Sequence, residues 1–439
     1  MKRGFYIIMA AQFFSSLADN ALLIAAVAML AELQGPAWLT PLLKFFFTIA
    51  YVVLAFVVGA FADAMPKGRV MFITNTIKVL GCALILFNEF LRIGSMEAYW
   101  LVLLAYAVVG LGAAAYSPAK YGILTELLPP EQLVVANAWI EGLTVLSIIL
   151  GNVVGGQLIG PRIAHHLLAI DIPFIDTGIE TPPEAAIATI VVFYVLAAVF
   201  NLRIPITGTE LRPMPARITD LMSDFAGCNQ RLWQDKLGQI SLATTTLFWG
   251  VSGNLRYIVL AWAAAALGYG ITQASALVGV VALGTAVGAV VASVRMRLDR
   301  ATAVLPLAVA MGLLMIVLVF IRNVGVAIPF LILLGAIGGY LVVPMNALLQ
   351  HRGHNLMGAG RSIAVQNFNE QACILGLGAL YTLLVRLGLS SYGAITIFGL
   401  LVALTMWGIG RWHQRNTRVH AAELERLYEV ARSDKLHHA

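Results

Sequence analysis

Stretches of about twenty or more mainly apolar residues recur from one end of the chain to the other, separated by polar or Gly- and Pro-bearing breaks such as Gln34-Gly35-Pro36 and Pro129-Pro130. A helix rises about 1.5 Å per residue, so each stretch is long enough to cross about 30 Å of hydrocarbon. Inside a bilayer the backbone has no water to bond, which admits only helices or a closed barrel; a barrel would show short alternating segments instead. With 60% of 439 residues hydrophobic, 11% charged and a mean hydropathy of +0.86, the chain cannot present a soluble surface. The expected fold class is an all-α membrane protein.

Twelve transmembrane helices are expected, at 5–31, 41–63, 70–91, 98–122, 132–160, 185–204, 238–267, 271–294, 301–321, 326–350, 360–387 and 390–411. The long connectors 161–184 and 205–237 punctuate them. The expected domains are an N-terminal six-helix half over 1–204, a linker over 205–237, a C-terminal six-helix half over 238–411 and a basic tail over 412–439. A weak internal repeat points the same way. Gly112-Ala-Ala-Ala-Tyr-Ser-Pro118 ends the fourth span, and Gly338-Gly-Tyr-Leu-Val-Val-Pro344 falls in the tenth with the same spacing. One helix later each is followed by an amide and an acid, Asn137 with Glu141 and Asn367 with Glu370. Two six-helix halves around a midplane site are what such repeats imply.

Cytoplasmic segments retain Lys and Arg. With both termini cytoplasmic, that side collects Lys2, Arg3, Lys67, Arg69, Lys120, Arg203, Arg212, Arg217, Arg231, Lys236, Arg295, Arg297, Arg300, Arg352, Arg361 and a basic tail from Arg411, against Arg92, Arg162, Arg322 and Arg386 outside. The net charge of +6 therefore needs no nucleic acid to explain it. Met1-Lys2-Arg3 and Ser16-Leu17-Ala18 imitate a secretory leader, but the apolar run continues to Leu30 and no cleavage is expected. Cys82, Cys228 and Cys373 are too scattered for a disulfide framework, and His165, His166, Asp171 and Asp176 lack tight ligand spacing, so no metal or other cofactor is expected.

Asp19-Asn20 in the first span and Arg256 in the seventh put ionisable groups at bilayer depth, at a cost of at least ~2.5 kcal/mol each. Such groups face a cavity and mark a pathway, which makes the chain a transporter by expectation. An enzyme would need a nucleophile and base or a metal constellation, and neither Gly-x-Ser-x-Gly, His-Glu-x-x-His nor a P-loop is present.

Gly59-Ala-Phe-Ala-Asp63 followed by Lys67-Gly68-Arg69 resembles the loop between the second and third helices of the major facilitator superfamily. The resemblance implies a conformational latch of Asp63, Lys67 and Arg69. The matching second-half stretch, Arg295-Met-Arg-Leu-Asp-Arg300, lacks the Gly-Asp arrangement. Ala11-Gln12-Phe13 with Asp19-Asn20-Ala21-Leu22-Leu23, Tyr116-Ser-Pro-Ala-Lys-Tyr-Gly122, Leu247-Phe248-Trp249-Gly250 with Leu255-Arg256, Val343-Pro-Met-Asn-Ala-Leu-Leu-Gln350 and Ala364-Val-Gln-Asn367 with Glu370 together resemble the bacterial lysophospholipid transporter family. That resemblance implies a facilitative flippase moving lysophosphatidylethanolamine and lysophosphatidylglycerol from the outer to the inner leaflet of the inner membrane. It also implies a functional link to a cytoplasmic-face acyltransferase in phospholipid remodelling.

Helical spacing gives four polar stripes: Gln12, Ser15 or Ser16 and Asp19; Asn137, Glu141 and Thr144; Ser241, Thr245, Ser252 and Arg256; and Ser362, Gln366 and Glu370. A lysolipid phosphate suits Arg256 and Lys120, and a headgroup amine suits Asp19, with Asn20 beside it, or Glu141. Two alternatives stay open. Asp19 and Arg256 either meet the headgroup or pair with each other or with Glu141; Glu370 with Gln366 and Asn367 either serves the headgroup or bonds Asn346 of the tenth span. A rival within transport is a proton-coupled exporter of drugs or small metabolites with Asp19 as proton site. Lys44 and Lys78 read as snorkelling or structural. Gly151-xxx-Gly155 and Gly284-xxx-Gly288 offer small faces where the halves meet, or ordinary tight packing. The linker, with Ile218, Leu221, Met222, Phe225, Leu232 and Trp233 among Asp220, Asp224 and Arg231, is expected to be an amphipathic helix on the inner membrane surface.

Overall fold

The computed structural model describes residues 3–35, 39–88, 97–169 and 179–432, and among the described residues the regular elements are all helices. In chain order they are α1 (Arg3–Glu32), α2 (Leu39–Val53), α3 (Ala55–Asp63), α4 (Lys67–Leu86), α5 (Ala98–Leu127), α6 (Pro130–Ile159), α7 (Pro161–Leu168) and α8 (Pro182–Leu202). There follow α9 (Ile218–Gln234), α10 (Gly238–Leu267), α11 (Ile271–Arg295), α12 (Leu305–Val317), α13 (Val324–Met357), α14 (Ala359–Arg386), α15 (Ser391–Val419) and α16 (Ala421–Arg432). Short 3-10 segments, Leu298–Val304 and Leu318–Phe320, flank α12.

The twelve expected spans correspond to α1, α2 with α3, α4, α5, α6, α8, α10, α11, α12 with its flanks, α13, α14 and α15. The second span is broken by 65° at Leu54, where no Gly or Pro announces a bend. The helices α10 and α14 are long enough to span, at 30 and 28 residues. Local chemistry sets several ends. Thr181 and Glu184 form a capping box ahead of α8, with Pro182 supplying the fixed φ of the first turn. Gly268, at φ +68°, closes α10 in the left-handed region that a side chain would resist. Both repeat prolines, Pro118 and Pro344, lie inside helices, α5 and α13.

The chain forms two compact units, one of 1–123 with 146–222 and the other of 124–145 with 223–439. In the first unit α1 and α4 both pack on α8 around Ala18, Leu22, Ala25, Cys82, Ile190 and Tyr194. Gly151 and Gly155 of α6 lie against α1 within this unit: an added Cβ at Gly151 would stand 2.7 Å from the Asn20 Cβ, and one at Gly155 2.8 Å from the Ala21 carbonyl. In the second unit the principal pairs are α11 with α13, α12 with α15 and α10 with α14. Gly284 and Gly288 face Ile332 and Ala336, while Gly335 and Gly339 face Val281 and Thr285, so α11 and α13 touch backbone to backbone. Both glycine pairs thus take part in tight packing inside a unit, the second of the two readings.

The linker helix α9 forms as expected, and part of its apolar face is covered by protein. Its Cys228 and Leu232 are buried against Leu242, Leu349, Met357 and Val365 of the second unit. Asp235, just past its end, takes a bidentate bond from Arg352 at 3.1 and 2.7 Å, Asp224 meets Arg361 at 2.7 Å, and the Trp233 ring stacks on Trp412. The helix is thus docked through its Cys228–Leu232 face, while Ile218 and Met222 stay exposed. Beyond Arg411, α15 continues to Val419, and α16 docks through Leu424, a Tyr428–Thr302 hydrogen bond and the Arg432–Asp299 pair. Asp171 and Asp176 lie outside the described residues.

Candidate functional site

In the first unit, Gln12, Ser15 and Asp19 share one face of α1. Opposite them stands Lys78 of α4, only 1% exposed and therefore not snorkelling to water. Its Nζ donates to both carboxylate oxygens of Asp19, at 2.8 and 2.9 Å, and to Ser15 Oγ at 3.0 Å. An ammonium has three donors, so its capacity is filled. The rings of Tyr116 and Tyr194 lie 5.0 and 5.4 Å from the same nitrogen, where their π faces attract a desolvated cation. Tyr194 also donates to Asp19 Oδ1 at 2.7 Å, and Ser15 donates to Asn75 Oδ1 at 2.9 Å.

This arrangement is asymmetric. Asp19 keeps 21% of its side chain exposed, and Oδ2 receives only one of these bonds, so one carboxylate edge stays open to a further donor. Asn75 is fully buried with Nδ2 unpartnered, an unspent donor beside the pair. Asn20 turns back on its own helix, donating to the Ser16 carbonyl at 2.8 Å. Lys120 is half-buried on α5 with its ammonium 4.3 Å from the Tyr121 ring centre.

The second unit holds a polar cluster of its own. Gln366 Nε2 donates to Glu370 at 2.8 Å and to Asn346 Oδ1 at 3.0 Å, so the bond to the tenth span does form. Glu370 is 7% exposed, and Glu141 of α6 lies near enough to act on it electrostatically. Gln366 Oε1 is buried without a partner, an unspent acceptor. One turn before Glu141, Asn137 and Gln350 form a reciprocal amide pair, each donating to the other at 3.0 Å. Asn367 is half-buried, about 100° around α14 from Gln366. Arg256 belongs to α10, but its side chain lies outside the described residues, as does that of Lys44.

Of the expected latch, Asp63 and Lys67 come together: Lys67 Nζ lies 2.8 Å from Asp63 Oδ1 and 2.7 Å from the Ala62 carbonyl, with both side chains buried. Arg69 is exposed and lines a surface groove with Phe72 and Asn201. Sequence reasoning missed Lys78 and Tyr194 as members of the Asp19 cluster. The available signal was Lys78 itself, a cation in the middle of an apolar run, which needs an anion when buried.

The Major Facilitator Superfamily profile matches residues 8–376. The chain is 38% identical over 416 residues to the lysophospholipid transporter LplT of Enterobacter sp. (strain 638), covering 94% of this chain and 96% of that one. It is 37% identical over 391 residues to the lysophospholipid transporter LplT of Yersinia pestis (strain Pestoides F), covering 88% of each. A bacterial homologue of the iron transporter ferroportin, solved in an outward-facing state, superposes with a TM-score of 0.70 at 15% identity over 94% of this chain and 100% of its own, a likeness of fold.

Proposed function

We propose a function for this chain from the family to which it belongs, the lysophospholipid transporters of the major facilitator superfamily. It carries lysophosphatidylethanolamine and lysophosphatidylglycerol from the outer to the inner leaflet of a bacterial inner membrane by facilitative alternating access, with both termini cytoplasmic. A cytoplasmic-face acyltransferase then restores the missing acyl chain.

The Asp19–Lys78 pair carries this reading. A zwitterionic headgroup brings an ammonium and a phosphate, the mirror image of a carboxylate with an ammonium. The open edge of Asp19 receives the headgroup amine, and Lys78, loosened as Asp19 gains that second cation, turns one N–H toward the phosphate. Two crossed ion pairs replace two separate ones, so charge stays balanced in a medium where an unbalanced charge is costly and no proton need accompany the lipid. The unspent Asn75 donor beside the pair suits a phosphate oxygen of a lysolipid. Asn20, Lys120, Glu141, Arg256, Asn367 and Glu370 complete the proposed contacts, and Asp63, Lys67 and Arg69 the proposed latch.

One observation favours the rival exporter: Glu370 is buried and accepts from an uncharged amide, the setting of a proton-carrying acid. Reconstitution separates the two. Liposomes carrying the full chain and labelled lysophosphatidylethanolamine should show leaflet exchange that survives collapse of the proton gradient and is lost in folded Asp19→Ala and Arg256→Ala variants. Exchange that stops with the gradient supports the exporter, and normal exchange by Asp19→Ala removes the headgroup assignment.

A further inference from the structure

At the end of α15 nearest the C-terminal tail, a groove of about 470 Å³ opens between α15, α12 and the 3-10 segment before α12. That size falls in the range of about 300–1,000 Å³ that receives small-molecule groups. Its lining is mixed: Pro306, Val309 and Trp407 are apolar, and Arg411, His413 and Gln414 are polar. Trp407 is 58% exposed, and Arg411 stands 5.8 Å from its ring centre, an aromatic and a cation at one level of a spanning helix, as residues at a membrane–water interface stand. Arg415 and Arg418 follow Arg411 at helical spacing on α15. Among the described residues none of these three arginines has an ion-pair partner. His413 has a buried Nδ1 without a hydrogen-bond partner.

We propose that this groove binds a diacyl anionic phospholipid of the surrounding bilayer, its phosphate on Arg411 and His413 and the start of an acyl chain along Pro306, Val309 and Trp407. An apolar slot leading to uncompensated arginines at interfacial depth complements such a lipid in both polarity and charge, and phosphate matches the planar guanidinium fork. The residues belong to the second unit alone and include none of the groups assigned to the carried lysolipid. The neighbouring α16, fixed through Tyr428 on the groove-lining Thr302, places the tail beside the bound lipid.

Two variants test it. Arg411→Ala removes the charge and keeps the slot. Gly410→Leu fills the slot and keeps the charge; Gly410 lines the groove, and a Cβ built there meets no atom within 4 Å. The full chain is released from nanodiscs containing equal phosphatidylglycerol and phosphatidylethanolamine, and co-purified lipid is counted by native mass spectrometry, with thermal unfolding recorded for each variant. The wild type should retain phosphatidylglycerol in preference, and each folded variant should lose about tenfold of that retention, Arg411→Ala through one charge-assisted bond and Gly410→Leu through exclusion of the acyl chain from the slot. Equal retention of the two lipids by the wild type, or undiminished phosphatidylglycerol in either folded variant, overturns the proposal.

Discussion

Lys78 and Asp19 stand 59 residues apart in sequence, and the lysine places its nitrogen within 2.9 Å of both carboxylate oxygens while the aspartate alone keeps contact with solvent. The lysine is therefore the enclosed partner and the aspartate the accessible one. A carboxylate that neutralises a buried cation and faces an entering headgroup has two roles, which single substitutions confuse and a paired one separates.

Asp19→Asn leaves Lys78 as an uncompensated buried charge, and removal of one partner from a buried pair costs about 3–5 kcal/mol, toward the low end here because Asp19 is partly solvated. Adding Lys78→Met to Asp19→Asn should recover most of the lost thermal stability, read as the unfolding midpoint in detergent. Leaflet exchange of lysophosphatidylethanolamine should stay absent in the double variant. Recovery of exchange together with stability would reduce Asp19 to a counter-ion.

The amide pair between Asn137 and Gln350 uses two hydrogen bonds at full burial. Gln350→Ala should cost about 1–3 kcal/mol, because Asn137 keeps unsatisfied polar atoms. The double change Asn137→Leu with Gln350→Leu should be milder than the sum of the two singles in the same unfolding assay. Additive losses would mean that the two amides act independently.

Gly288 of α11 is held against the Ala336 backbone, so Gly288→Leu should prevent accumulation of folded protein. Gly279 on the same helix has open space around an added Cβ, and Gly279→Ala should be neutral or stabilising by up to about 1 kcal/mol. Equal expression and equal unfolding midpoints for Gly288→Leu and the wild type would contradict the close helix approach.

Two ion pairs hold the linker region to the second unit, and they differ in burial: Arg352–Asp235 is enclosed, while Asp224 of the Arg361 pair is partly exposed. Arg352→Ala should therefore raise amide hydrogen exchange across α9 more than Arg361→Ala does. The reverse order, or no change in either, would place the hold on α9 in its apolar contacts.

Much of the fold was legible because a span must be both long and apolar, a requirement that survives any detail of packing. The expected 238–267 coincides with α10, and 98–122 falls inside α5. The break at Leu54 was not legible, since Val53-Leu54-Ala55 reads as uninterrupted helix. At the site, the stripe through Ser15 and Asp19 was readable from a 3.6-residue period. Lys78 was not readable as its partner, because period arithmetic on one helix says nothing of which helix faces it. The linker shows the same limit: its apolar face was evident, but its pairing with Arg352 and Arg361, residues more than a hundred positions away, was not.

The Asp19–Lys78 couple sums to zero. A single charge displaced through a transmembrane voltage does work of about 2.3 kcal/mol per 100 mV, so the empty couple and one holding a zwitterion pass through that field without electrical work, whereas a cargo with a net negative headgroup makes its step voltage-sensitive.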